Sequence, residues 1–238
     1  MQQVMNTSPM PTRVLFLHAD TKGFGALIDA LSSNGFNVRE MTDAPAGIQA
    51  ALDGAFELLL VERSMPGTSG LDALRQIRRH SSVPVMLLAQ DSDELERVLC
   101  LELGADDILE QPGSRELIAR MRAILRRTGA NDPTASIGEY IEAGPLKLWP
   151  HRRRAHWFQG DLPLTSTEFS LLELLVRESG RAVSKKRLSD EVLSRPYQRH
   201  DRTIDVHVSN IRHKLGQRGD NSEWIQTIRG VGYLWARD

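Results

Sequence analysis

Along residues 13–127, short continuous apolar runs alternate with longer stretches in which apolar positions recur every three or four residues. VLFL (14–17), ELLLV (57–61) and PVMLL (84–88) are of strand length and apolar throughout, the pattern of strands buried on both faces in a parallel sheet. FNVREM (36–41) and ADDIL (105–109) read as weaker strands. Helical spacing marks GLDALRQIRRH (70–80), DELERVLCLEL (93–103) and RELIARMRAILRR (115–127). Five such β–α units predict a doubly wound α/β domain with a parallel five-stranded sheet over residues 13–127. Residues 1–12 carry neither pattern and are expected to form a disordered N-terminal extension. Residues 128–139, which include TGANDPTASIG, read as a short polar linker.

The pattern changes after the linker. A β-rich segment from about Tyr140 to Leu164 opens a second domain over residues 140–238. Thr165 with Glu168 three residues on makes a capping box, and Phe169, Leu172, Leu175 and Val176 give the following helix an apolar face. Gly180 is its expected stop. A second short helix is expected over 184–193 and a third over 201–216, with Ile204, Val208, Ile211 and Leu215 on one buried face. The β-prone runs WIQTIRG and VGYLWA then predict a terminal hairpin turning at Gly230 and Gly232.

Away from its apolar face the third helix carries Arg202, Thr203, His207, Ser209, Asn210, Arg212, His213 and Lys214. An α-helix fits the major groove of B-DNA, where cations reach phosphates or guanine edges and Asn pairs with adenine. Arg229, near the hairpin tip, is placed for the minor groove, whose negative potential attracts guanidinium groups. A basic helix alone is equally what a solvated surface looks like; the capped helix before it and the hairpin after it favour the DNA reading. Charge agrees. The formal net charge of −1 divides into −4 over residues 1–127 and +3 over residues 128–238, and five of the seven His lie in the second part. The N-terminal MQQVMNTSPMPTR lacks the apolar centre of a signal peptide and no apolar run approaches 18 residues, so the expected location is cytoplasmic, with no membrane contact. One cysteine, Cys100, excludes an internal disulfide framework.

LTSTEF, GRAVSKKRL, DRTIDVHVSNIRHKL and TIRGVGY together resemble the winged-helix output domain of OmpR/PhoB-type response regulators, and MPGTSGLDALRQIR with LELGADD resembles their CheY-like receiver domain. Within that family the VLSRPYQRHDR loop most resembles regulators of the Cpx type. The resemblance implies a DNA-binding transcription regulator, not an enzyme, that binds direct-repeat promoter sites as a homodimer. Arg202 and Thr203 would contact phosphates, and His207, Ser209, Asn210 and Arg212 would lie towards the groove. RNA polymerase is a candidate further partner. The twofold dimer would form through Arg97, Glu102 and Asp107 on one side and Glu116, Arg120 and Arg122 on the other.

Receivers of this family hold Mg²⁺ on an acidic pair and accept a phosphoryl group on an aspartate flanked by a Thr or Ser and a Lys. Here the acidic pair corresponds to His18 and Ala19, the aspartate to Glu62, the Thr or Ser to Ala89 and the Lys to Gln111; Asp20 and Glu62 remain as nearby acids. Phosphoryl transfer depends on a metal and a cation to neutralise developing charge, and this set supplies neither. The expectation is a pseudo-receiver with no catalytic residue, metal or cofactor, acting independently of phosphorylation. Several readings stay open. Glu62 is either a fixed imitation of a phosphorylated aspartate or a polar residue tolerated at a strand end. His18 with Asp20 and Glu62 is a conceivable metal set, and Cys100 is either redox-active or idle. The receiver half could instead be a ligand-sensing or protein-docking module with DNA contact secondary.

Overall fold

The computed structural model describes residues 11–19, 23–65, 68–111, 113–127 and 140–237. The expected N-terminal extension through Met10, Asp20 and the linker 128–139 lie outside them. The three apolar runs form strands β1 (Thr12–Leu17), β3 (Leu58–Glu62) and β4 (Val85–Ala89). The weaker runs become β2 (Phe36–Met41) and β5 (Asp107–Glu110). All five pair in parallel in the order β2-β1-β3-β4-β5, so the continuously apolar strands are central and the mixed ones are edges. Burial in β2 is correspondingly mixed, with Phe36 buried and Asn37, Arg39 and Glu40 exposed.

Helices cover both faces. α1 (Gly25–Ser33) and α5 (Ser114–Arg127) pack Leu31, Leu117, Met121 and Ile124 against Phe16, Leu60 and Met86. On the other face, α2 (Ala44–Leu52), α3 (Gly70–Arg78) and α4 (Glu94–Glu102) bury Ile48, Leu74, Ile77 and Cys100. Local caps start these helices: Asp43 accepts Ala46 N–H (2.7 Å), and Asp93 with Glu96 forms a capping box on α4. Gly70 lets α3 begin hard against the end of β3, since a Cβ there would collide with the Glu62 carbonyl.

The second part starts with an antiparallel sheet of β6 (Ile141–Ala143), β7 (Leu146–Trp149), β8 (Arg154–Trp157) and β9 (Gly160–Asp161). The predicted capping box opens α6 (Ser166–Arg177), with Thr165 Oγ1 accepting Glu168 N–H (3.3 Å) and Glu168 accepting Thr165 N–H (2.8 Å). After β10 (Val183–Ser184), the second helix is narrower than expected: α7 is regular only over Lys185–Leu188, then widens into a π-turn at Ser189–Leu193. The third helix, α8, runs over Thr203–Leu215, inside the expected span. β11 (Ile225–Ile228) and β12 (Gly232–Trp235) form the hairpin, with β10 added to the β12 edge. Gly232 is required there, because a Cβ would meet the Val183 carbonyl. The core of this part joins Phe169, Leu172, Leu175, Ile204, Val208, Ile211 and Leu215 to Trp224 and Trp235. Among the described residues no helix is long and apolar enough to cross a membrane.

Candidate functional site

α8 is set by local signals. Asp201 Oδ1 accepts Thr203 N–H (2.9 Å) at its start, and Gly216, in the positive-φ region (φ 70), donates to the Arg212 carbonyl (2.9 Å) at its end. Arg212, His213 and Lys214 occupy the last turn, where the helix dipole favours cations. Ile204, Val208, Ile211 and Leu215 are buried as expected.

The polar residues divide. Arg202, Ser209 and Arg229 are exposed. His207 corrects the expectation that it lies towards a groove: it has no exposed surface, because three residues after Ile204 and four before Ile211 it shares their inward face. Thr203 is also corrected. At 6% exposure its hydroxyl, which accepts from Arg195 (2.7 Å), is too buried to meet a phosphate in this arrangement. Arg212 turns to the hairpin, donating to the Ile225 carbonyl (2.8 and 2.6 Å) and Thr227 Oγ1 (2.8 Å) and pairing with Glu223 (2.9 Å). A cation expected at base edges is here the brace that fixes the hairpin to α8.

The exposed side of α8 faces α4. Asn210 Nδ2 donates to the Leu101 carbonyl (3.1 Å), and Arg202 lies 3.6 Å from Glu94. Ser209 and Glu102 line the groove between the two helices. Three further ties join the two parts of the chain. Arg126 donates to Ser194 Oγ (2.7 Å). Asp106, fully buried, accepts from Arg78 (2.8 Å) and Val85 N–H (3.0 Å) on its own side and from Thr167 N–H (2.8 Å) in the first turn of α6. A carboxylate at a helix N-terminus satisfies an unpaired donor and meets the positive end of the dipole. Arg195, from the loop before α8, spans Asp107 (3.5 Å), Asp201 (2.7 Å) and Thr203. Neither Asp106 nor Arg195 was singled out from the sequence, since their partners lie far along the chain or in an irregular loop.

The residues expected to carry a dimer are ordered within one chain. Arg97 pairs with Glu110 (2.7 Å), and Arg120 with Asp107 (2.9 Å) and Glu116 (2.7 Å). Arg122 does not belong with them. Two residues from Arg120, it lies about 200° around α5 and donates to Asn34 after α1 (3.1 Å), which corrects its assignment to that face.

At the carboxyl ends of the strands, where open α/β sheets bind ligands, lies a cleft of about 1040 Å³. Glu62, 9% exposed, accepts Ala19 N–H (2.8 Å) on one carboxylate oxygen. Ala89 contributes only a methyl group. Gln111, with φ 37, donates its amide to the Gln90 carbonyl (2.7 Å). Arg63, beside Glu62, is engaged by Glu96 (2.7 Å) and Asp91 (3.8 Å). His18, fully buried between Phe16 and Phe24, has Nε2 3.2 Å from Glu40 Oε2. Among the described residues no group of three His, Cys, Asp or Glu could hold a metal ion; Asp20 lies outside them. Cys100 has no exposed surface, and burial pushes its thiol up to about 11, away from the reactive thiolate.

Comparison with known proteins agrees with this architecture. Residues 20–122 match the response regulator receiver domain, and residues 159–235 match the transcriptional regulatory protein C-terminal domain. The chain is 41% identical over 232 residues to the transcriptional regulatory protein CpxR of Klebsiella pneumoniae, covering 93% of this chain and 97% of that one. It is 37% identical over 223 residues to the sensory transduction protein RegX3 of Mycobacterium tuberculosis, covering 93% and 98%. A solved RitR mutant superposes with a TM-score of 0.76 at 21% identity, over 95% of this chain and all of that one, a likeness of fold.

Proposed function

The chain belongs to the OmpR/PhoB-type transcriptional response regulators that include CpxR, and we propose that it regulates transcription through a receiver that no longer accepts a phosphoryl group. The observation that carries this is the setting of Glu62. One oxygen of its carboxylate accepts Ala19 N–H, the flanking Ala89 and Gln111 bring neither hydroxyl nor cation, and no acidic pair stands at His18 and Ala19. Mg²⁺ needs several close oxygen ligands and a phosphoryl group needs charge neutralisation; a Gln amide already tied to Gln90 gives none. The fixed-charge reading of Glu62 gains no support, since no cation is drawn to it among the described residues.

DNA recognition falls to α8 and the hairpin. Asn210 and Ser209 read base edges, Arg202 contacts phosphate and Arg229 enters the minor groove, while Arg212 positions the hairpin. With Asn210 on Leu101 and Arg202 beside Glu94, this face stands against α4 across a narrow groove that leaves no room for a duplex, although Arg202 and Ser209 remain open to solvent. DNA binding therefore requires α8 to leave α4, and the same movement releases Asp107 from Arg195, while Arg97 and Arg120 keep their partners within the receiver until a second copy offers others. Opening is driven by DNA and by the second copy rather than by phosphorylation, as a population shift between two arrangements.

The test is incubation with Mg²⁺ and acetyl phosphate or beryllofluoride. Mass and affinity for an operator duplex should both stay unchanged; a stable shift in either would overturn the proposal.

A further inference from the structure

The cleft above β1, β3 and β4 has a use that phosphorylation chemistry does not exhaust. Its volume of about 1040 Å³ matches the upper end of small-molecule sites, roughly 300–1,000 Å³, and such sites are apolar with a few placed polar groups. Here Phe24, Leu27, Met65, Leu88 and Ala89 form the apolar wall. Glu62 is its buried carboxylate, beside Arg63, Ser64, Gln90, Asp91 and Gln111. One of its oxygens accepts Ala19 N–H (2.8 Å), and the other has no donor among the described residues although the residue is 9% exposed. A carboxylate has about four acceptor sites, so Glu62, which lines the cleft, keeps acceptor capacity open towards it. The neighbouring cation does not help, because Arg63 is committed to Glu96 (2.7 Å), to Asp91 (3.8 Å) and to the Asp91 carbonyl (3.0 Å).

We propose that this cleft binds a small organic ammonium with an apolar body, of the arylalkylamine class. The ammonium pairs with the open oxygen of Glu62, and the ring lies against Phe24, Leu27 and Met65. An inorganic divalent cation fits less well, since it asks for several close oxygen ligands and the two carboxylates of the described lining differ in setting, Glu62 buried and the Asp91 side chain 98% exposed. The ligand's ring gains in addition from aromatic contact with Phe24. The proposal rests on the reading that this receiver takes no phosphoryl group.

The experiment is isothermal titration calorimetry of the full chain with tryptamine and, separately, with indole-3-propionate, which carries the same ring on a carboxylate. Tryptamine should bind and the acid should not. Glu62→Gln, which keeps an acceptor for Ala19 N–H but removes the charge, should weaken tryptamine at least tenfold. Ala26→Trp, at the exposed rim of the cleft on α1, should block it without touching Glu62, and decides the matter if Glu62→Gln fails to fold. Absent binding, equal binding of the acid, or binding indifferent to Ala26→Trp would overturn the proposal. A thermal shift with Mg²⁺ alone would overturn it in favour of a metal. The same preparation is exposed to Mg²⁺ and acetyl phosphate and weighed: a phosphoryl adduct removes the premise whatever the amine does, whereas loss of amine binding without an adduct removes the ligand proposal alone.

Discussion

Single residues in this chain take their meaning from the partner they reach, and Arg212 is the clearest case. In the sequence it is one of three cations in the last turn of a basic helix, indistinguishable from a phosphate contact. Its bonds to Ile225, Thr227 and Glu223 become visible only once the hairpin folds back, 13–15 residues later for the first two. Hydrogen bonds from a charged group contribute about 1.5–3 kcal/mol, so Arg212→Ala should lower the stability of the chain by about 2 kcal/mol, or roughly 4–8 °C in Tm. Thermal unfolding checks this beside selection from a randomised duplex library. An unchanged Tm with altered base preference would return Arg212 to the groove. His207 makes a related point: the apolar spacing around it places position 207 inward, where the structure buries it, although its polar type suggests the surface.

At the scale of elements, much was legible. Continuous apolar runs separated the central strands from the edges because parallel strands bury both faces, and the Thr165 capping box located α6 to the residue. The widening of the second helix into a π-turn at Ser189–Leu193 left no mark in the pattern, for apolar spacing does not distinguish one wide turn from a regular one. The apposition of α4 and α8 was equally hidden, as it depends on contacts between residues about a hundred positions apart, such as Asn210 with Leu101. That apposition makes α4 a lever on DNA binding. Glu94→Arg places like charge beside Arg202 while leaving α8 unaltered. It should therefore raise operator affinity several-fold, measured by fluorescence anisotropy at fixed salt because phosphate contacts make affinity salt-dependent. Unchanged or weaker binding would mean that the α4–α8 contact does not hold the chain back.

For the whole molecule, Arg195 of the second part reaches Asp107 on the face expected to join two chains, so on the proposed reading closure and pairing compete there. The untreated protein should sediment mainly as a monomer and assemble as two chains on a duplex carrying half-sites about one helical turn apart. Arg97→Glu alters an exposed residue whose intrachain partner is Glu110. It should weaken the two-chain complex while sparing single occupancy, and sedimentation showing equal loss of both would place Arg97 outside the dimer. The alternation of strands and helices announced two modules in the sequence, but the buried Asp106 that joins them did not stand out, since one aspartate in LELGADD looks like any loop acid. Asp106 also bears on how fast the molecule responds. Arg78 and Val85 N–H hold its carboxylate whether or not Thr167 is present, so departure of α6 hands one oxygen to water and requires no side chain around Asp106 to find a new rotamer. The barrier to opening is then that of a hinge, on the microsecond-to-millisecond scale of domain motion, and the delay between the appearance of a vacant operator and its occupation is governed by diffusion of the protein to it.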